Sequence, residues 1–244
     1  MEFSQSEIKY LRYYLQNEPD ILLFTKLMFK EVYKRDFLIN WHHKDIANKL
    51  NSVFRYEHPT NRVMFNIPPR HTKTELAVIN FATYGFSINP YSEIMHLSAS
   101  DELVRRNIIN MRKIMDSDLY RSLFPEILLS DSGSGKMTTS QGGTLYSAPF
   151  LGQITGFGCG KLQADHFAGA MLIDDPIKTQ DALSQAIREK VNFAWANTLV
   201  SRLNDERTPV IVTAQRTHEH DFCGFLLEKE GTIEEGGKWD VVKY

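Results

Sequence analysis

The chain has 244 residues with a formal charge of −2 at pH 7, and 42% of them are hydrophobic and 24% charged. That balance excludes a peptide, a fibre or a disordered tail and fits one large domain or two small ones around a buried core. With 28 Lys plus Arg against 30 Asp plus Glu, no general positive field covers the surface, so any nucleic-acid contact must be local. Apolar residues recur at helical spacing in three segments before residue 60: Ile8 to Leu15, Ile21 to Val32, and Trp41 to Val53. Val63 to Ile67, closed by Pro68-Pro69, reads as a buried strand, Glu75 to Phe86 as a helix and Glu93 to Ser98 as a second strand. Asp101 is positioned to cap the helix that runs through Val104, Ile108, Met111 and Met115. Asp131 to Gly160 is rich in Ser, Thr and Gly, with short strands or a hairpin expected over Met137 to Gln141 and Thr144 to Ser147. Ala170 to Ile173 and Pro209 to Thr213 read as buried strands, Gln185 to Leu203 as a long helix, and His218 to Glu228 as helical. Strands alternating with helices over this length imply a mostly parallel sheet with helices on both faces. Trp239 to Tyr244 reads as the start of another strand.

Cys159 and Cys223 are too few for a disulfide framework and lack metal-ligand spacing, which suits a reducing compartment. No apolar run approaches the ~18 residues of a membrane span, and the polar start Met1-Glu2-Phe3-Ser4-Gln5 is not a signal peptide. The expectation is a soluble intracellular protein.

Chemistry concentrates at strand ends. Strand, Pro68-Pro69-Arg70-His71-Thr72-Lys73-Thr74, then helix is the context of a phosphate-binding loop. Amides at a helix start hold phosphate oxygens, a lysine reaches the terminal phosphates and a hydroxyl ligates magnesium, the last two roles falling to Lys73 and Thr74. Ser132-Gly133-Ser134-Gly135-Lys136 has more glycine, but Met137 stands where a hydroxyl is required and a Thr-rich stretch follows instead of a helix. Met171-Leu172-Ile173-Asp174-Asp175 supplies two acids after a buried strand: Asp174 for a magnesium ion and Asp175 to polarise water. Thr213-Ala214-Gln215-Arg216 puts a hydroxyl, an amide and a guanidinium at the carboxyl edge of the sheet, where open α/β folds bind ligands. His218 and His220 are two apart and would not share a helix face, unlike the paired ligands of zinc hydrolases.

Together these segments resemble the large terminase subunits of tailed bacteriophages, the ATPases that drive DNA into empty capsids. The resemblance runs from about Trp41 onward and rests on Pro68 to Glu75, Gly142-Gly143 with Thr155-Gly156-Phe157-Gly158, Leu172 to Pro176, Ser201 to Asn204 and Gln215 to Gly224. It implies a P-loop NTPase of the additional-strand, RecA-like type, in which the strand bearing Thr213 lies between the phosphate-loop strand and the Asp174 strand. A helical segment (1–60) would precede the ATPase core (61–244), with the family's carboxyl-terminal nuclease absent and no DNA cleavage expected. Implied site residues are Pro69, Arg70, His71, Thr72, Lys73, Thr74 and Glu75 around ATP, Thr74 and Asp174 on Mg2+, and Asp175, Arg70 and Gln215 in catalysis. Trp41 and His42 are candidates for the adenine. The implied partners are double-stranded DNA, the portal protein and the small terminase subunit. The resemblance further implies a homo-oligomeric ring when active, a monomer in isolation, and a place in the host cytoplasm during virion assembly. The alternatives are a weakly or non-hydrolysing assembly module on the portal and a RecA-type helicase-like motor. Thr72 stands where the family has glycine, Phe157 where it often has arginine, and Cys159 to Phe167 reads as an insertion. The resemblance does not place the family's trans-acting arginine, for which Arg202 and Lys161 are the candidates.

Overall fold

The computed structural model describes residues 3–131, 133, 135–154 and 156–244. Ser132, Ser134 and Thr155, which belong to the glycine-rich stretch and to one family motif, lie outside the described residues. Helices α1 (Gln5–Asn17), α2 (Ile21–Tyr33) and α3 (Trp41–Phe54) come first, each with a side-chain cap: Ser4, Asp20 and Asn40 accept backbone N–H bonds at their starts. Strand β1 (Arg62–Asn66) leads through the phosphate-loop candidate into a π-helical stretch (Glu75–Asn80) that continues as α4 (Phe81–Ile88). Then follow β2 (Glu93–Ser98), α5 (Asp101–Met115) and α6 (Asp118–Leu123). The strands β3 (Leu129–Asp131), β4 (Lys136–Thr139), β5 (Thr144–Pro149) and β6 (Met171–Asp174) come next. The chain closes with α7 (Gln185–Ala194), β7 (Val210–Ala214), α8 (Phe222–Glu230) and β8 (Asp240–Lys243).

The strands form one sheet in the order β3-β4-β5-β2-β6-β7-β1-β8. From β5 to β8 every neighbouring pair is parallel, while β3, β4 and β5 are joined antiparallel. Strand β7 thus separates β1 from β6, as the additional-strand topology requires. Alternate strand residues feed two cores, because successive side chains point to opposite faces. Val63, Phe65, Leu172 and Ile211 pack with α1 to α6, whereas Met64, Met171, Ile173, Val210 and Val212 pack with α7 and α8. Phe24 of α2 illustrates how the amino-terminal helices join the first core: it is fully buried and stacks on Tyr84 with centroids 4.7 Å apart. Truncating such a residue costs about 3–5 kcal/mol.

Four sequence expectations are corrected in detail. Ser100, not Asp101, caps α5, its hydroxyl accepting the Leu103 N–H while Asp101 sits in the first turn facing the helix dipole. The long helix expected over Gln185 to Leu203 is regular only to Ala194, then widens into a π-helical stretch (Trp195–Leu199) and tightens at Val200–Arg202. Its buried residues Val191, Trp195 and Leu199 recur every fourth position and so share one side of the helix. Helix α8 begins at Phe222 because the Asp221 carboxylate accepts the N–H groups of Gly224 and Thr217, leaving His218 to His220 in a turn. Helix α6 and strand β3 have no counterpart in the sequence reading.

Candidate functional site

The carboxyl ends of β1, β6 and β7 lie side by side, so the segments that leave them meet at one edge. Between β1 and the π-helical stretch, Arg70 and Thr72 both adopt left-handed backbone, at φ 66° and 55°. The Thr72 carbonyl then accepts the Leu76 N–H at 3.0 Å and starts the first turn, so the amides ahead of it carry the positive end of a helix. Pro69, Arg70, His71 and Thr72 are exposed around this cradle. His71 Nδ1 lies 2.9 Å from the Pro69 carbonyl, and its ring stands edge-on to His42 at 5.7 Å. Trp41 is exposed and packs edge-on to Tyr244 at 4.7 Å.

Lys73 is buried, at 5% exposure. Its ammonium donates to Asp175 Oδ1 at 2.9 Å and to the Ile67 carbonyl at 3.4 Å. A lysine stem can cover apolar surface while its head finds partners, and here those partners lie inside the loop.

Asp174 is the most constrained group of the site. Its Oδ1 accepts the hydroxyls of Thr74 and Thr213, each at 2.9 Å, and its Oδ2 accepts the Asn107 amide at 3.3 Å. Burial, reinforced by the negative charge of Asp175, pushes its carboxyl up to about 6. A carboxylate held among hydroxyls and an amide, with its charge disfavoured, matches a hard divalent cation bound by oxygen ligands. Thr74 and Asp174 would hold such an ion. Asp175, at φ 40°, accepts both the Lys73 ammonium and, at 3.0 Å, the Gln215 N–H.

Other predicted residues face elsewhere. Glu75 turns toward the amino-terminal helices, accepting Tyr33 Oη at 3.3 Å and Asn80 Nδ2 at 3.0 Å. Burial raises its carboxyl, and both its oxygens are engaged away from the phosphate loop. The Gln215 side chain donates to Thr179 Oγ1 at 2.8 Å, so its backbone N–H is what reaches Asp175. Arg216 is drawn away by Asp221, at 3.0 Å. Lys161, 5.8 Å over the Tyr91 ring, and Arg202, whose carbonyl accepts the Cys159 N–H, lie by the amino-terminal ends of the strands, opposite the phosphate-loop edge.

Sequence reading missed Asn107 and His96. Asn107 sits on the buried side of α5, donating to Asp174 and to His96 Nε2, each at 3.3 Å, while His96 Nδ1 lies 3.3 Å from Ser147 Oγ. An asparagine among Val104, Ile108 and Met111 was the available signal, since a buried amide needs partners.

No protein-family model and no curated protein sequence matches the chain. Solved structures do match. The HK97 bacteriophage large terminase superposes with a TM-score of 0.61 at 13% identity, covering 94% of this chain and 43% of that one. The large terminase of a thermophilic bacteriophage, in complex with ADP, gives a TM-score of 0.50 at 11% identity, covering 80% of this chain and 44% of that one. In fold, the chain is similar to phage large terminases. It spans less than half the length of these terminases. The shared fold is the additional-strand P-loop architecture, and it bears out the resemblance at that level. Among the described residues no helix is long and apolar enough to cross a membrane.

Proposed function

We propose that this chain is the ATPase motor region of a phage large terminase, hydrolysing MgATP to drive double-stranded DNA into a procapsid. The observation that carries the reading is the double pairing at one sheet edge, Thr74 with Asp174 and Lys73 with Asp175. A metal-binding hydroxyl and carboxylate thereby stand next to a phosphate-binding lysine and a second acid.

The amides preceding Leu76 and the Lys73 ammonium bind the β- and γ-phosphates, and exposed Arg70 adds a positive charge beside them. Thr74 and Asp174 would hold Mg2+, which would supply positive charge to offset that of the phosphates. Binding of the polyphosphate exchanges the Lys73–Asp175 pair for a lysine–phosphate pair and leaves Asp175 to take a proton from the attacking water. Gln215 orients Asp175 through its backbone N–H and senses the γ-phosphate once its side chain leaves Thr179. Trp41 and His42 flank the loop on the side where the adenine would lie. In this reading the active form is a homo-oligomeric ring on the portal protein, supplied with DNA by the small terminase subunit in the host cytoplasm. The sequence motifs alone carry that part of the reading.

One observation favours the weakly hydrolysing assembly module instead: a β-branched Thr72 at left-handed φ where close approach to phosphate favours glycine. Phosphate release measured with and without DNA separates the two. DNA-stimulated turnover supports the motor, and nucleotide binding without turnover supports the assembly module.

A further inference from the structure

We propose that His43 is a positioning residue for the phosphate loop, latching Thr72 into the left-handed conformation that a glycine would adopt unaided. Thr72 is β-branched, and at φ 55° such a residue is a conformational outlier that persists only where its surroundings hold it. What holds it is a directed hydrogen-bond chain. The Asn40 N–H can only donate, and it lies 2.9 Å from His43 Nδ1, which is therefore the acceptor nitrogen of the ring. The remaining proton of the neutral imidazole is then on Nε2, which donates to Thr72 Oγ1 at 2.6 Å. The Thr72 hydroxyl passes its own proton on to the His71 carbonyl at 2.8 Å. One backbone amide thus fixes the direction of every bond in the chain.

The anchor is rigid. His43 is 5% exposed in the first turn of α3, where it completes the capping box of Asn40. Its ring packs on Phe37 at 4.9 Å and on His42 at 3.9 Å between centroids. Burial, with the neighbouring His42 and His71, lowers its pKa to about 4, so the neutral form that the chain requires is the resident one. The amino-terminal helices therefore set the geometry of the residue immediately before Lys73 and Thr74. The consequence for nucleotide rests on the ATPase reading, while the latch itself does not.

A mutant cycle with two readouts tests this. Hydrogen exchange of the Leu76 amide, which donates to the Thr72 carbonyl at 3.0 Å, reports the latch without nucleotide. Titration with ATP reports its use. His43→Leu and, independently, the near-isosteric Thr72→Val are each expected to speed Leu76 exchange and weaken ATP binding by about tenfold, roughly the cost of releasing one strained residue. Amides of β1 and β6 should keep their protection. His43→Gln, whose amide can still donate to Thr72, should restore most of both signals. In a Thr72→Gly background, His43→Leu should change either readout by less than about twofold, because glycine needs no latch. Equal effects of His43→Leu in both backgrounds, or no effect on Leu76 exchange in the native background, would overturn the latch. If exchange follows the cycle but the native protein binds no ATP, the latch stands and the ATPase reading falls.

Discussion

Replacing Asp174 by asparagine makes the cost of its buried charge measurable. The carboxyl is held up to about 6 from its ordinary 3.8 by burial and by Asp175. An acid whose folded pKa is raised binds its proton more tightly in the native state than in the unfolded chain. Its contribution to stability is complete below the unfolded value and is lost as the pH rises through the folded one. At ~1.4 kcal/mol per pH unit, the loss is about 3 kcal/mol, most of it between about pH 4 and pH 7. Asparagine does not titrate. It still accepts the Thr74 and Thr213 hydroxyls, while its amide opposes that of Asn107, a mismatch that costs the same at every pH. In metal-free urea unfolding across this pH range, the stability difference between Asp174→Asn and the native protein should therefore shift by about 3 kcal/mol in the variant's favour. Adding Mg2+ at 100 times its dissociation constant should return about 2.7 kcal/mol to the native protein and nothing to the variant. A difference that stays flat with pH would mean that Asp174 ionises as readily as a surface acid, and the cation argument built on its burial would fail.

The other substitutions separate the remaining roles. Lys73→Ala should weaken ATP binding by roughly 100-fold or more and, because the lysine is buried against Asp175, also cost about 1–3 kcal/mol in thermal unfolding; unchanged affinity in a folded variant rejects the loop. Asp175→Asn keeps a residue type that tolerates left-handed backbone and should still bind ATP while turnover falls by roughly 100-fold or more, as single-turnover phosphate release would show. Asn107→Leu removes the donor to Asp174 and should raise the magnesium concentration for half-maximal turnover by about tenfold, the usual effect of losing a group that orients a metal ligand; an unshifted magnesium curve would make Asn107 purely structural.

The strand–loop–helix unit around Lys73 was legible because Val63 to Ile67 is apolar but for Asn66, the two prolines end it, and Leu76 to Phe86 is mostly apolar, with Asn80 and Thr83 as its polar members. The acids at the end of β6 were legible for the same reason, a short apolar run ending in charge. What escaped is whatever depends on a partner distant in sequence. Nothing around Lys73 announces that its ammonium turns inward, because Asp175 becomes its neighbour only when the sheet brings the carboxyl ends of β1 and β6 to one edge. Glu75 looked like part of the cradle until Tyr33 of α2 and Asn80 engaged both its oxygens. The His43–Thr72 contact joins α3 to the loop across 29 positions, and no local pattern encodes it.

The left-handed backbone at Asp175 settles how two adjacent acids serve one site. In an extended strand, neighbouring side chains point to opposite faces of the sheet, so Asp174 and Asp175 of a continued β6 would have pointed apart. The strand stops at Asp174, and φ of 40° at Asp175 breaks the alternation. Asp174 stays in strand geometry, where Thr213 of the neighbouring β7 and Asn107 of α5 bracket its carboxylate. Asp175 turns over the sheet edge to meet the Gln215 N–H, which leaves β7 two residues past Thr213. The phosphate loop meets the pair in matching order, Lys73 on Asp175 and Thr74 on Asp174. One unfavourable backbone conformation therefore converts two consecutive residues into two convergent carboxylates, one kept among neutral donors where a cation belongs and one kept on a lysine that a phosphate can draw away. Strain of this kind persists where the surrounding contacts over-determine it, and here the lysine and the β7 amide supply them.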